Sequence, residues 1–454
     1  MGVFGVYNVK NASSIIYYAL HALQHRGQQG AGIVTCDKED NDVFHRQKGL
    51  GLVHEIFNEK DLSELKGELG IGSVNYSNKS INGIENVLPV YFRHRSGNLA
   101  IANEGHLVNF PELQAYFEDK GVLFHTDTDS ELLAQLIKKD NNPRARIYAI
   151  INALNMMEGG FTFVIMTKNR IYACRDKYGL KPLCVGKLGD GYVVSSESCA
   201  FDIIGATYIR DVEPGEILVM DHKGLHGEFY SQFKRHNMCS MEFIYYARPD
   251  SDIEGCNVHS YRKESGRRLY RECPADADIV VGVPDSSLSA AMGYAEESGI
   301  PYEMGLIKNK YIGRTFIEPT QDMRERGVKM KLSAIHSIVN GKRIVLVDDS
   351  IVRGTTCLKI IKLLRDAGAT EVHVRIASPM MTHPCFYGVD TSTEEELLCS
   401  HRTLEEACQC IGADSLGYVS PQSTLESGLG RSQICMACFT GEYFTTLYSH
   451  EKKK

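Results

Sequence analysis

The chain has 454 residues, 43% of them hydrophobic and 24% charged, with a formal net charge of -7. That length exceeds what one ordinary core sustains and predicts two domains; the acidic balance offers no basic footprint for nucleic acid or for an anionic membrane. No apolar run approaches the roughly 20 residues of a membrane span, and no basic segment followed by an apolar one opens the sequence, so a cytoplasmic protein is expected.

Val3–Tyr7 reads as a short strand and Ser13–Leu23 as a helix running into Gln24-His25-Arg26-Gly27. Further strands are predicted at 69–74, 99–102, 161–166, 171–174 and 192–195, with helices over 111–120, 130–138 and 147–157. Strands bracketing helices in this proportion suggest stacked sheets with helices outside. The pattern lapses between Phe233 and Met238, which places a domain boundary near 235/236.

From there a βαβ reading holds: a strand at 279–283, a helix at 289–298, a strand at 343–347, a helix ending by Ala367 and a strand at 371–377. Such alternation implies a parallel sheet with helices on both faces and a ligand at the C-terminal strand ends. Ile344–Val347 run into Asp348-Asp349, then Ser350-Ile351-Val352-Arg353-Gly354-Thr355-Thr356, then a helix with apolar residues at helical spacing. Backbone N–H groups and hydroxyls at a helix N-terminus attract phosphate. The two acids add acceptors for sugar hydroxyls and oxygen ligands for a hard cation such as Mg²⁺. An acidic strand end alone would be ordinary, but this sequence of acids, Arg, Gly and Thr is not.

Fourteen cysteines in a reducing compartment predict free thiols. Cys174, Cys184, Cys199 and Cys357 lie in apolar stretches and read as core. Cys435-Met436-Ala437-Cys438 is compatible with zinc, with redox chemistry or with neither. Cys399 and Cys408-Gln409-Cys410 match no ligand pattern.

The acid-pair turn resembles the phosphoribosyl pyrophosphate (PRPP) signature of the type I phosphoribosyltransferases. Gln24-His25-Arg26-Gly27, Arg175–Leu183, Ser195-Ser196-Glu197-Ser198 and Val212–Glu216 resemble the glutaminase domain of the class II glutamine amidotransferases. In this order the motifs resemble the amidophosphoribosyltransferases, in their iron–sulfur branch. The resemblance implies an α/β chain: an Ntn-hydrolase-like αββα sandwich over 1–235, then a phosphoribosyltransferase parallel-sheet domain over 236–454. It also implies a homo-oligomer, by family habit a tetramer, with purine nucleotides as feedback ligands.

The resemblance assigns Asp348 and Asp349 to the ribose and, with Ser286 of Pro284-Asp285-Ser286-Ser287, to Mg²⁺; the family's usual Gly in that turn is here Ser287. Ser350, Arg353, Gly354, Thr355 and Thr356 would cradle PRPP. The tract from Lys308 to Lys331 matches the flexible catalytic loop, with Lys308, Arg314 and Lys331 facing the departing pyrophosphate. Cys239, Cys385, Cys435 and Cys438 match the four [4Fe–4S] ligands, and four thiolates would also suit zinc.

The glutaminase half departs from its family. Met1 stands where the nucleophilic cysteine precedes Gly2, and a thioether cannot become a nucleophile; Cys36 is too distant to replace it. Asn75 replaces the Arg of a His-Val-Arg-Tyr-Ser pattern that would clamp the glutamine carboxylate. Glu104, before Gly105, replaces the Asn of the oxyanion hole, where losing one donor costs about 10²–10³ in rate. Asp129, the expected partner of the glutamine amino group, is retained. The expectation is a transferase making phosphoribosylamine from PRPP and ammonia with a silent glutaminase. The alternatives are an ordinary glutamine-dependent enzyme and a non-catalytic PRPP- or nucleotide-binding regulator.

Overall fold

The computed structural model describes residues 1–37, 43–76, 83–94, 97–139, 146–233, 235–309, 332–389, 391, 393–428 and 434–446. The first strand shows how the N-terminal half is layered. In β1 (Gly2–Tyr7), Val3 and Tyr7 face one side while Phe4 and Val6 face the other, the period of two that strands impose. The Phe4 and Val6 side packs against Ile16 and Leu20 of the helix Ala12–Ala22. The Val3 side packs against a second sheet.

Twelve further strands complete the two layers: β2 Gly30–Asp37, β3 Val43–Leu50, β4 Leu69–Asn75, β5 Val90–Phe92, β6 Leu99–Leu107, β7 Gly159–Met166, β8 Ile171–Arg175, β9 Cys184–Leu188, β10 Gly191–Ser195, β11 Thr207–Asp211, β12 Glu216–Asp221 and β13 Gly224–Phe229. They form an antiparallel sheet in the order β11-β9-β10-β1-β4-β2-β3 and a second in the order β13-β12-β8-β7-β6-β5. Val34, Ile71, Ala100, Val164 and Leu218 fill the space between the sheets. The helices Asp129–Lys139 and Arg146–Met156 cover the far face, setting Leu132, Ile137, Ile150 and Leu154 against Ile101, Phe163 and Ile165. The expected helix–sheet–sheet–helix sandwich is therefore present.

Several features escaped the periodicity, the strands β2, β5, β9, β12 and β13 among them. The strand expected at 99–102 runs on to Leu107, because Glu104 and Gly105 stay paired with Thr162 and Phe161 of β7. β3, mostly half-buried, and β11, mostly exposed, are edge strands without apolar alternation, so nothing in their sequence announces them.

In the C-terminal half, four parallel strands lie in the order Ile279–Gly282, Arg343–Asp348, Glu371–Ile376, Ser415–Tyr418. Val345 and Val347 face Leu269 and Tyr294 of the helices Val258–Glu272 and Leu288–Ser298. Ile344 and Leu346 face Ile360, Ile361 and Leu364 of the helix Thr355–Asp366. The first two helices touch backbone to backbone: a Cβ on Gly266 would sit 1.9 Å from the Ala290 carbonyl oxygen, and one on Gly293 would sit 1.9 Å from that of Lys263. Only glycine permits that approach.

The halves meet along a seam closed by the end of the sequence. The Cys239 N–H bonds to Leu180 O (3.1 Å), Cys435 N–H to Met238 O (2.9 Å) and Ser240 N–H to Cys435 O (3.1 Å). Phe444 stacks on Tyr178, and the Thr445 N–H bonds to the Tyr387 hydroxyl. Among the described residues no helix is long and apolar enough to cross a membrane.

Candidate functional sites

The acid pair ends the Arg343–Asp348 strand, and Gly354 (φ +77°) turns the chain into the Thr355–Asp366 helix. Both carboxylates are buried and take their hydrogen bonds from hydroxyls and one backbone group. Ser287 Oγ lies 2.8 Å from Asp348 Oδ1, which also accepts the Asp349 N–H at 2.9 Å. Asp349 accepts from Ser286 and, at 2.6 Å, from Ser350. Among the described residues no ion pair reaches either acid. Burial, then the neighbouring charge of Asp349, pushes the Asp348 carboxyl up to about 8. Burial raises Asp349 as well, against the hydrogen bonds of Ser286 and Ser350. Burial is the main cause of both shifts, and this oxygen set fits a hard cation.

Thr355 and Thr356 open the helix, both exposed, with Ser350 half-buried before them. Arg353 is exposed and pairs with Glu396 at 2.7 Å; Lys308, on the short strand Leu306–Lys308, pairs with Asp285 at 2.7 Å. These two cations thus flank the acid pair with a carboxylate partner each. Arg314 and Lys331 lie outside the described residues. Sequence reasoning gave Ser287 no role and passed over Arg262, a buried guanidinium bonded to the Phe243 and Ala247 carbonyls, whose charge favours ionised Asp349.

The second site lies where β1, β6 and the Ser195–Ser198 turn converge. Arg26 is its hub. Its guanidinium bonds to Glu104, to Glu197 Oε1 (2.5 Å), to both Glu242 oxygens (3.0 and 2.9 Å) and to the Met1 carbonyl (3.2 Å). Glu104 also accepts from Ser196 Oγ at 2.7 Å, and Lys181 lies 3.6 Å from Glu242. Burial alone would raise Glu104 and Glu197, yet Arg26 holds Glu104 below its usual range and His25 and Arg26 do the same for Glu197. Burial pushes the Met1 α-amino group down to about 6.

Asn75 is equally committed: its amide nitrogen donates to the carbonyls of Leu88 (3.2 Å), Ser73 (3.3 Å) and Gly30 (3.4 Å), and its oxygen accepts the Leu88 N–H (3.0 Å). Gly105 (φ +101°) must be glycine, because a Cβ there would meet Gly160 O at 2.0 Å. Asp129 is buried at the start of its helix, 3.9 Å from His106. Burial lifts it to about 7 against a backbone hydrogen bond from Leu107.

The four thiols singled out in the sequence lie near one another at the seam, and burial with the neighbouring thiols raises Cys239, Cys435 and Cys438. Burial first, then Cys239 and Cys385, lifts Cys435, and burial lifts Cys239 to about 12 although Lys181 beside it opposes this. Ser240 Oγ, next to Cys239, is buried without a hydrogen-bond partner. Neighbouring thiols, a buried ammonium at Lys181 and an orphaned hydroxyl are the chemistry that an anionic thiolate-bound group would need. Among the described residues, however, no three His, Cys, Asp or Glu side chains are gathered into a ready metal site. No cysteine is disulfide-bonded, as expected.

Fold and sites together define a glutamine amidotransferase-type sandwich joined to a phosphoribosyltransferase. Family models agree: a glutamine amidotransferase domain matches residues 85–202 and a phosphoribosyl transferase domain matches residues 265–385. The amidophosphoribosyltransferase of Bacillus subtilis is 51% identical over 98% of this chain and 94% of its own length. That of Staphylococcus aureus is 46% identical over 99% and 92%. Two solved structures superpose nearly throughout. One, described as the allosteric regulatory enzyme of purine biosynthesis, has a TM-score of 0.94 at 50% identity and covers 99% of this chain and 97% of its own. The other, the glutamine PRPP amidotransferase from B. subtilis complexed with ADP and GMP, has a TM-score of 0.93 at 50% identity and covers 99% and 98%. The chain belongs to the amidophosphoribosyltransferases, the transferases of purine biosynthesis.

Proposed function

We propose that this chain forms 5-phosphoribosylamine from PRPP and ammonia and does not hydrolyse glutamine. The observation carrying the second half is Arg26, whose donors are occupied by Glu104, Glu197 and Glu242 where an amide-cleaving site would need open donors. Glu104 opposes a developing oxyanion, Met1 offers no thiol, and the Asn75 amide is fastened to backbone.

In the transferase site, Ser350, Arg353, Gly354, Thr355 and Thr356 would bind the ribose phosphate, with Arg353 leaving Glu396. Lys308 would move from Asp285 to the pyrophosphate, joined by Arg314 and Lys331. Mg²⁺, held by Asp348, Asp349 and Ser286, would supply charge neutralisation to the pyrophosphate. The carboxylates orient the ribose hydroxyls and stabilise positive charge at C1. As the C1–O bond to pyrophosphate breaks, the ammonia lone pair forms the C1–N bond with inversion, and the nitrogen then loses a proton.

Cys239, Cys385, Cys435 and Cys438 would hold a structural [4Fe–4S] cluster, with zinc as the alternative that an absorbance spectrum separates. The purine nucleotides in the B. subtilis complex support feedback by nucleotides here. A cytoplasmic homo-oligomer, by family habit a tetramer, with domains meeting near 235/236 completes the reading.

The test is phosphoribosylamine formation from PRPP and Mg²⁺ with ammonium or glutamine as sole nitrogen source. Product is expected with ammonium and none above background with glutamine. Robust turnover on glutamine would restore the ordinary glutamine-dependent reading, and no pyrophosphate release with either donor would leave a binding regulator.

A further inference from the structure

Ser287 stands where the Ile279–Gly282 strand turns into the Leu288–Ser298 helix, in the position that caps that helix. A serine there ordinarily turns its oxygen back onto a backbone N–H of the first helical turn. This one makes no such bond. Fully buried, its hydroxyl instead crosses to the neighbouring parallel strand and lies 2.8 Å from Asp348 Oδ1 and 3.4 Å from Asp349 Oδ2.

The consequence appears in the distribution of donors. Asp348 Oδ1 is held by Ser287 and by the Asp349 N–H. Asp349 Oδ1 is taken by Ser350, and its Oδ2 by Ser286 with the longer contact from Ser287. Among the described residues no donor reaches Asp348 Oδ2. One oxygen of the pair is thus left as an acceptor, and its direction is set by what grips the other oxygen of the same carboxylate. We infer that Ser287 is a positioning residue for the transfer reaction: it gives up helix capping to fix the Asp348 carboxylate so that Oδ2 faces the ribose. This rests on the transferase reading above.

Full-length S287A, S287G and S287T are compared with wild type for PRPP-dependent pyrophosphate release with ammonium, and for thermal midpoint. S287A and S287G are expected to lose about tenfold in kcat, because a misaimed carboxylate is felt at the transition state, while KM for PRPP stays within about threefold, since the phosphate contacts are untouched. S287T keeps a hydroxyl and is expected to recover at least about half of the lost kcat. The thermal midpoint of S287A is expected to fall by no more than about 4 °C, the cost of one buried hydrogen bond with no helix cap removed. Wild-type kcat in S287A would overturn the inference, as would a loss confined to KM or one that S287T shares in full. A wild-type chain that releases no pyrophosphate would sink the transferase reading itself, and this inference with it.

Discussion

Buried carboxylates sit at both sites, but they are served differently. Around Arg26, Glu104, Glu197 and Glu242 are matched by a guanidinium and Lys181, and Glu104 and Glu197 are held low. Around the acid pair, Ser286, Ser287 and Ser350 supply the side-chain donors, and both acids are held high. A carboxylate already paired with a cation inside the fold has little attraction left for a ligand. One that is hydrogen-bonded but makes no ion pair keeps its attraction for a cation or a developing carbocation. The first arrangement stabilises structure and the second awaits chemistry.

The largest effect should come from breaking the matched set. Arg26→Met leaves three buried carboxylates with only Lys181 and the His25 imidazole beside them and is expected to destabilise by about 3–5 kcal/mol, the usual cost of removing one partner from a buried ion pair; chemical denaturation measures it. A loss below about 1 kcal/mol would mean that the cluster is far wetter than its burial implies.

Asp129 sharpens the contrast, because it lies in the matched half yet its nearest imidazole is 3.9 Å away and burial lifts it to about 7. Its folded pKa exceeds the ordinary carboxyl value of 3.8, so the folded state keeps a proton that the unfolded chain releases. That contribution is fully present below about pH 4 and is lost as pH rises towards 7. Asp129→Asn has no proton to lose, so it should gain on wild type across that window by on the order of 3 kcal/mol. Paired denaturation curves at pH 4 and 7.5 give the difference; parallel curves would show that Asp129 has a partner when ionised.

Asp348→Asn tests the other side. Removing one unmatched carboxylate should leave the fold intact but lower pyrophosphate release by about 100-fold, or about 2.7 kcal/mol. Loss of folding in place of activity would erase the distinction between the two sites.

Much of this was written locally. The strand, acid pair, glycine turn and helix of the transferase site occupy one continuous stretch, so hydrophobic spacing located them, and the sandwich strands with clear alternation were equally plain. Arg26 could be quoted as part of a motif but not recognised as a hub, because its carboxylate partners lie 78, 171 and 216 residues away. Ser287 was noticed only as a departure from a glycine, since its bond crosses 61 residues to the neighbouring strand. Pairings at such separations are decided by tertiary packing, and no local pattern encodes them.

The seam between the halves carries a consequence for synthesis. Cys435 bonds to the backbone on either side of Cys239, and Phe444 and Thr445 reach Tyr178 and Tyr387. A ribosome delivers those residues after both sheets have emerged. Each half can therefore collapse on its own during translation and begin to dock through pairs such as Arg26–Glu242, but the seam is completed only when the tail arrives, and a stalled or nicked nascent chain would hold two bodies joined without that last fastening.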